Sequence, residues 1–102
     1  MSARKRMPPI HPGEMLRDEL EERKISLNQL ACDLRIPLSR VSLIANGKRA
    51  ITADTAMRLG RYFGTSAQLW MNLQTAYDLD VAAASAERIE REVIPADRGA
   101  AA

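Results

Sequence analysis

Few side chains in this sequence can do covalent chemistry. His11 is its only histidine and Cys32 its only cysteine. Structural zinc takes four ligands, so these two cannot make a site between them. An inert thiol and a histidine at a helix start are the simpler assignments. There is no glycine-rich phosphate loop and no convincing carboxylate pair, which leaves almost nothing for an enzyme to work with. No catalysis, metal or cofactor is therefore expected. The chemistry on offer is hydrogen bonding to a polyanion. Leu38, Ser39, Arg40, Ser42 and Leu43 fall on the outward side of a short segment whose inward residues are Val41 and Ile44. Arg40 can present two parallel donors to guanine, Ser39 and Ser42 suit base or phosphate oxygens, and Leu38 and Leu43 suit thymine methyls. Lys48 and Arg49 follow in a loop, where they would grip phosphate. Gln29 and its neighbouring backbone N–H groups, at the start of the preceding helix, are placed for a further phosphate bond. The simpler reading of each is a solvated polar surface with some exposed apolar residues.

Positioning these side chains requires a series of short helices. Pro12 suits a first helical position and Glu14 the first turn, with Met15, Leu16 and Leu20 on one apolar face of a helix over 12–24. Ser26 with Gln29 three residues on is a capping-box pattern that opens a second helix, 27–34, facing inward through Leu27, Leu30, Ala31 and Leu34. Ile36 and Pro37 interrupt it, and 38–45 resumes the pattern. Two short helices joined this tightly must cross steeply, with Ala31 small at the crossing. Asn46 and Gly47 mark a turn, and 48–51 a loop. Thr52 caps a fourth helix, 53–63, with Ala56, Leu59 and Phe63 inward, and Gly64 stops it in the left-handed conformation. Ser66 caps a fifth, which carries Leu69, Trp70, Leu73, Tyr77 and Val81 at helical spacing. That spacing makes Trp70, Leu73 and Tyr77 core or dimer-seam residues rather than an open stacking platform. Beyond Val81 an alanine-rich stretch favours helix but offers little to bury until Ile89 and Val93. It can extend the fifth helix, form a short sixth, or fray.

Composition bounds the rest. One hundred and two residues, 46% apolar but only 4% aromatic, suit one small helical domain with an aliphatic core. The expected division is a flexible basic tail over 1–10 containing Arg4, Lys5 and Arg6, a helix-turn-helix domain over 11–80, and a partly helical to disordered tail over 81–102. No apolar run approaches the roughly 20 residues that span a bilayer, and no apolar signal segment opens the chain. With a single cysteine and hence no internal disulfide, a cytoplasmic location is expected. The net charge of +2 matters less than its distribution. Arg35, Arg40, Lys48, Arg49, Arg58 and Arg61 face only Asp54 between residues 35 and 62, while acids dominate 14–22 and 78–92. A basic centre between acidic flanks suits a polyanion-binding face with a second surface of opposite sign, against the simpler reading of uneven solvated charge. Arg58 and Arg61 read as ordinary surface charges.

Residues 27–46, LNQLACDLRIPLSRVSLIAN, resemble the helix-turn-helix of the lambda-repressor-like XRE family. The segments IHPGEMLRDEL (10–20), NGKRAITADTAMRLGRYFG (46–64) and AQLWMNLQTAYDL (67–79) are similar to its host-inhibition-of-growth A (HigA) antitoxin branch. The resemblance covers about residues 7–80. It implies an all-α, five-helix lambda-repressor-like domain and a homodimer on double-stranded operator DNA that represses its own operon. It further implies a type II toxin–antitoxin partner, a HigB toxin that is a RelE-like, ribosome-dependent mRNA endonuclease. Such a toxin is expected to be basic, which would make the acidic first helix and fifth-helix end candidate docking surfaces. One departure concerns the turn. The family usually has glycine where this chain has Arg35, and a similar exchange puts Lys24 at the end of the first helix. If the backbone keeps a positive φ at Arg35, the cost is on the order of 1 kcal/mol, offset if Arg35 touches phosphate. Alternatively the turn is rebuilt. Two other functions use the same residues: a stand-alone helix-turn-helix regulator without a toxin, and an interaction module that no longer binds DNA.

Overall fold

Four of the helix starts lie where a hydrogen-bonding side chain meets an apolar periodicity. His11 Nδ1 accepts the Gly13 N–H at 2.8 Å, Ser26 Oγ that of Gln29, Thr52 Oγ1 that of Thr55, and Ser66 Oγ that of Leu69. Each such cap contributes about 1 kcal/mol by satisfying a donor that has no partner inside the helix. The computed structural model describes residues 8–97. In it these caps open α1 (Pro12–Arg23), α2 (Leu27–Leu34), α4 (Ala53–Phe63) and α5 (Ala67–Ala82), and α3 (Leu38–Ala45) follows Pro37 without a side-chain cap. A 3₁₀ turn, Ala83–Ser85, leads into α6 (Ala86–Glu92). Of the three outcomes open for the alanine-rich stretch, the short sixth helix is the one observed. Among the described residues there is no strand. The expected basic cluster at Arg4–Arg6 and the last residues, 98–102, lie outside the described part.

α1 to α5 enclose one aliphatic core. Leu16, Leu30, Ile44, Leu59 and Val41 are fully buried around Trp70, whose ring is completely covered. Each such side chain contributes about 1.5–3 kcal/mol by leaving water. Trp70 Nε1 donates to Thr65 Oγ1 at 2.9 Å, so its one polar atom is satisfied. Leu73 is half-buried against the same core, and Tyr77 is half-buried with its ring edge-on to His11, 4.8 Å between centroids. Of the residues expected to be core or dimer seam, Trp70 is core and the other two lie at its rim. Val81, expected to face inward, is instead 49% exposed, because α5 outruns the helices it packs on. Ile51, read as part of a loop, is buried.

The ends of α1 and α2 share one construction. The Lys24 and Ile25 N–H groups return to Glu21 and Leu20, and those of Arg35 and Ile36 return to Cys32 and Ala31. This is the paired closure of a Schellman motif, with an apolar residue tucked in behind it. Such a closure needs a left-handed residue, and Lys24 (φ 58) and Arg35 (φ 62) supply it without being glycine. The turn is therefore kept rather than rebuilt, at a cost of about 1 kcal/mol for each residue.

Candidate nucleic-acid interface

α3 is anchored by Val41, Ile44 and Ala45, all buried, so its remaining side chains must face away from the core. Ser39 is exposed, Leu38 and Leu43 are 44% and 40% exposed, and Arg40 and Ser42 are half-buried at the edges of the same face. All five residues singled out from the sequence thus share one face. Pro37 precedes the helix and offers no side-chain cap; the Arg40 N–H turns back to the Pro37 carbonyl at 3.0 Å, which leaves those of Leu38 and Ser39 for an outside oxygen. The helix surface that emerges has one fork-shaped cation, two hydroxyls and two apolar contacts. That is a set able to read base edges in a major groove.

Side-chain ties fix both ends of this unit. At the C-terminal end of α3, Arg17 of α1 donates to Asn46 Oδ1 at 3.2 Å, and Asn46 Nδ2 donates to Ser42 Oγ at 3.4 Å. Ser42 is the acceptor in this bond, so its own proton is not used by it. Gly13 allows the close crossing here, since a Cβ at that position would collide with the Ile44 carbonyl oxygen. At the turn between α2 and α3, α4 reaches over. Arg58 Nη1 donates to the Leu34 carbonyl at 2.9 Å while its Nε pairs with Asp54, and Tyr62 donates to Asp33 Oδ2 at 2.8 Å. Arg58, read from the sequence as a plain surface charge, therefore caps the last turn of α2 beside the strained Arg35. Partial desolvation, then the hydrogen bond and negative charge of Asp33, push the Tyr62 phenol above its ordinary value of 10.0, with Arg23 opposing.

Gln29 is exposed, but its amide donates to Asp33 Oδ1 at 2.9 Å. The capping box is consequently half-made: Ser26 caps the Gln29 N–H, but the Gln29 side chain does not return. The reason is Asp33, one turn further along, which offers a carboxylate to both Gln29 and Tyr62. Arg35 is exposed beside a shallow open groove lined by Asn28, Cys32, Pro37 and Leu38. Lys48 and Arg49 are exposed on the loop after α3. That loop is pinned at its start by the Asn46, Gly47 and Lys48 N–H groups bonding back into α3. At its far end the Ile51 N–H donates to Oε1 of the buried Gln74, at 2.8 Å.

The sequence reading missed Arg17, Arg58, Tyr62 and Gln74. Gln74 had a signal, because it is a polar residue one turn beyond Trp70 on an otherwise apolar face. The others are polar side chains on helix surfaces, indistinguishable in sequence from solvated ones. Among the described residues, no three His, Cys, Asp or Glu side chains converge on a possible metal position, and no helix is long and apolar enough to cross a membrane.

Comparison with known proteins places this arrangement. Residues 16–70 match the family described as helix-turn-helix (HTH_3). Virulence-associated protein I of Dichelobacter nodosus is 54% identical over 77 residues, 74% of this chain and 71% of the relative. An addiction module antidote protein of the HigA family from Coxiella burnetii superposes with a TM-score of 0.81 at 55% identity, covering 87% of this chain and 99% of that one. The Pseudomonas aeruginosa antitoxin HigA, solved with the higBA promoter, superposes with a TM-score of 0.80 at 52% identity, over 86% and 98% of the two chains.

Proposed function

The chain belongs to the helix-turn-helix family, and we propose that it is a HigA-type antitoxin that binds operator DNA and represses its own operon. One observation carries this reading: over 86% of its length the chain is 52% identical to a HigA antitoxin solved with the higBA promoter. The face geometry supports it. α3 enters a major groove, with Arg40 on guanine, Ser39 and Ser42 on base or phosphate oxygens, and Leu38 and Leu43 against thymine methyls. The loop cations Lys48 and Arg49, the cation at the turn, Arg35, and the start of α2 around Gln29 hold the phosphates on either side.

The working unit is a homodimer in the cytoplasm. A two-fold pair sets two recognition helices about 34 Å apart, matching half-sites one helical turn apart on an inverted repeat. The second partner is a HigB toxin, a RelE-like mRNA endonuclease, which this chain neutralises. It acts by binding and not by catalysis.

Fluorescence anisotropy of the purified protein on DNA upstream of its own gene, with a scrambled duplex alongside at several salt concentrations, tests the operator role. A preference of at least ~10³ for the upstream DNA is expected. Equal, weak, salt-sensitive binding to both duplexes would overturn it. Expression of a small basic protein encoded beside this chain's gene, the expected toxin, tests the other half: growth arrest relieved by this chain is expected. A harmless neighbour would leave a stand-alone regulator.

A further inference from the structure

The loop after the recognition helix carries two cations, and its far end hangs on a single buried amide. Ile51 is covered, so its N–H has no water to turn to. A buried donor left without an acceptor is costly, which makes the Gln74 oxygen a strong constraint on where that part of the backbone lies. An amide can present either end, and here the choice is settled one turn along α5. Asp78 Oδ1 accepts from Gln74 Nε2 at 2.9 Å, leaving only the oxygen to face Ile51. A carboxylate can only accept at neutral pH, so it forces this orientation. Between the bonds that hold Lys48 to α3 and the one that holds Ile51 to α5 lie only Lys48, Arg49 and Ala50, all exposed. The span is too short to wander while both ends are fixed.

We propose that Gln74, oriented by Asp78, is a positioning residue for DNA binding, holding the 48–50 loop so that Lys48 and Arg49 meet the phosphate backbone together. This rests on the DNA-binding reading above. It gives α5 a part in recognition although no residue of that helix belongs to the recognition face. It also accounts for a glutamine on the apolar face beside Trp70, where a leucine would pack without needing partners. Binding free energy is better used when the contacting groups are already in place, since ordering a free loop at the moment of binding weakens the complex.

The salt dependence of affinity for a mixed-sequence DNA duplex reads this directly. The slope of log affinity against log salt changes by about 0.9 for each phosphate contact. Gln74→Met keeps the volume and removes both hydrogen bonds. Its slope is expected to become shallower by about 0.9 to 1.8, one or two contacts, with affinity falling several-fold on every sequence. Adding Lys48→Ala to Gln74→Met should then cost less than Lys48→Ala costs alone. The pair Gln74→Glu with Asp78→Asn leaves net charge unchanged and rebuilds the set in reverse. The new amide at position 78 donates to the new carboxylate at 74, which still accepts from Ile51, so wild-type slope should return. Gln74→Glu alone sets two carboxylates side by side and should not be rescued.

A folded Gln74→Met protein with wild-type slope and affinity would overturn the proposal, as would additive losses with Lys48→Ala. If Gln74→Met does not fold, Asp78→Ala decides. Asp78 is exposed, and its removal frees the amide to turn while deleting one charge; the slope counts phosphate contacts, so an unaltered slope there overturns the proposal equally. The unchanged chain and its Lys48→Ala variant are the separate controls. If the unchanged chain shows no salt-dependent binding, the DNA-binding reading itself has failed, whereas a reduced slope for Lys48→Ala beside an unchanged Gln74→Met places the failure on the positioning role.

Discussion

The recognition unit from α2 to Ile51 and the arm formed by the end of α5 and α6 contrast sharply. The first contains a strained residue, Arg35, in left-handed backbone, and a helix without a cap, α3, yet the end of α2, the end of α3 and the end of the following loop are each tied to a neighbouring helix. α1 holds Asn46, α4 holds Asp33 and the Leu34 carbonyl, and α5 holds Ile51. The arm is the reverse. Its residues favour helix, its backbone is relaxed, and it buries nothing: no residue of α6 is buried, and Leu79, Val81, Ile89, Val93 and Ile94 are exposed. It accounts for the elongated outline of 56 × 29 × 23 Å. The difference teaches that position here comes from burial and side-chain ties, while propensity alone makes only a helix.

The largest expected effect tests that contrast most severely. Trp70→Ala should destabilise the protein by about 3–5 kcal/mol, because it empties the centre of the core. Ile89→Ala in the arm should cost less than about 0.5 kcal/mol in urea unfolding of dilute, monomeric protein. A comparable loss from both would mean that the arm is packed as the core is. Next, Arg40→Ala should remove about 1–3 kcal/mol of discrimination between cognate and scrambled DNA, leaving the scrambled affinity almost unaltered. Lys48→Ala should instead weaken both duplexes alike. Equal losses on the two duplexes from both variants would dissolve the division between reading and gripping.

Smaller still, Arg35→Gly should raise stability by about 1 kcal/mol in thermal or urea unfolding, since glycine takes the left-handed turn without strain. A shallower salt dependence in the same variant would assign Arg35 a phosphate. No gain in stability would show the turn to be relaxed already. The smallest effect concerns Tyr62. Its raised folded-state pKa means that the native protein holds the phenolic proton more tightly than the unfolded chain does. The associated stability is present below the ordinary 10.0 and is lost as pH rises through the folded-state value. Tyr62→Phe should flatten that alkaline decline in a pH series of unfolding midpoints. An unchanged decline would remove Tyr62 from the clamp on α2.

Much of this molecule is written locally. The helix starts at Ser26, Thr52 and Ser66, the stop at Gly64, and the inward positions Leu30, Val41, Ile44 and Leu59 follow from caps and periodicity, which depend only on near neighbours. The outward set on α3 was legible for the same reason, since burying Val41 and Ile44 leaves the opposite side facing water. Val81 was misread because periodicity says which residues share a face but not whether another element covers it. Arg58 was misread because its partner, the Leu34 carbonyl, lies 24 residues away.

By itself the sequence determined the all-helical class, the helix-turn-helix and the side chains that its outer face presents, because spacing of 3.6 residues and capping chemistry act within a turn or two. Only the tertiary structure decided that Arg35 keeps the turn that glycine usually makes, that α4 braces it, and that a glutamine on α5 holds the loop after α3. Those outcomes depend on which polar groups meet when distant helices pack, and no local pattern encodes such a meeting.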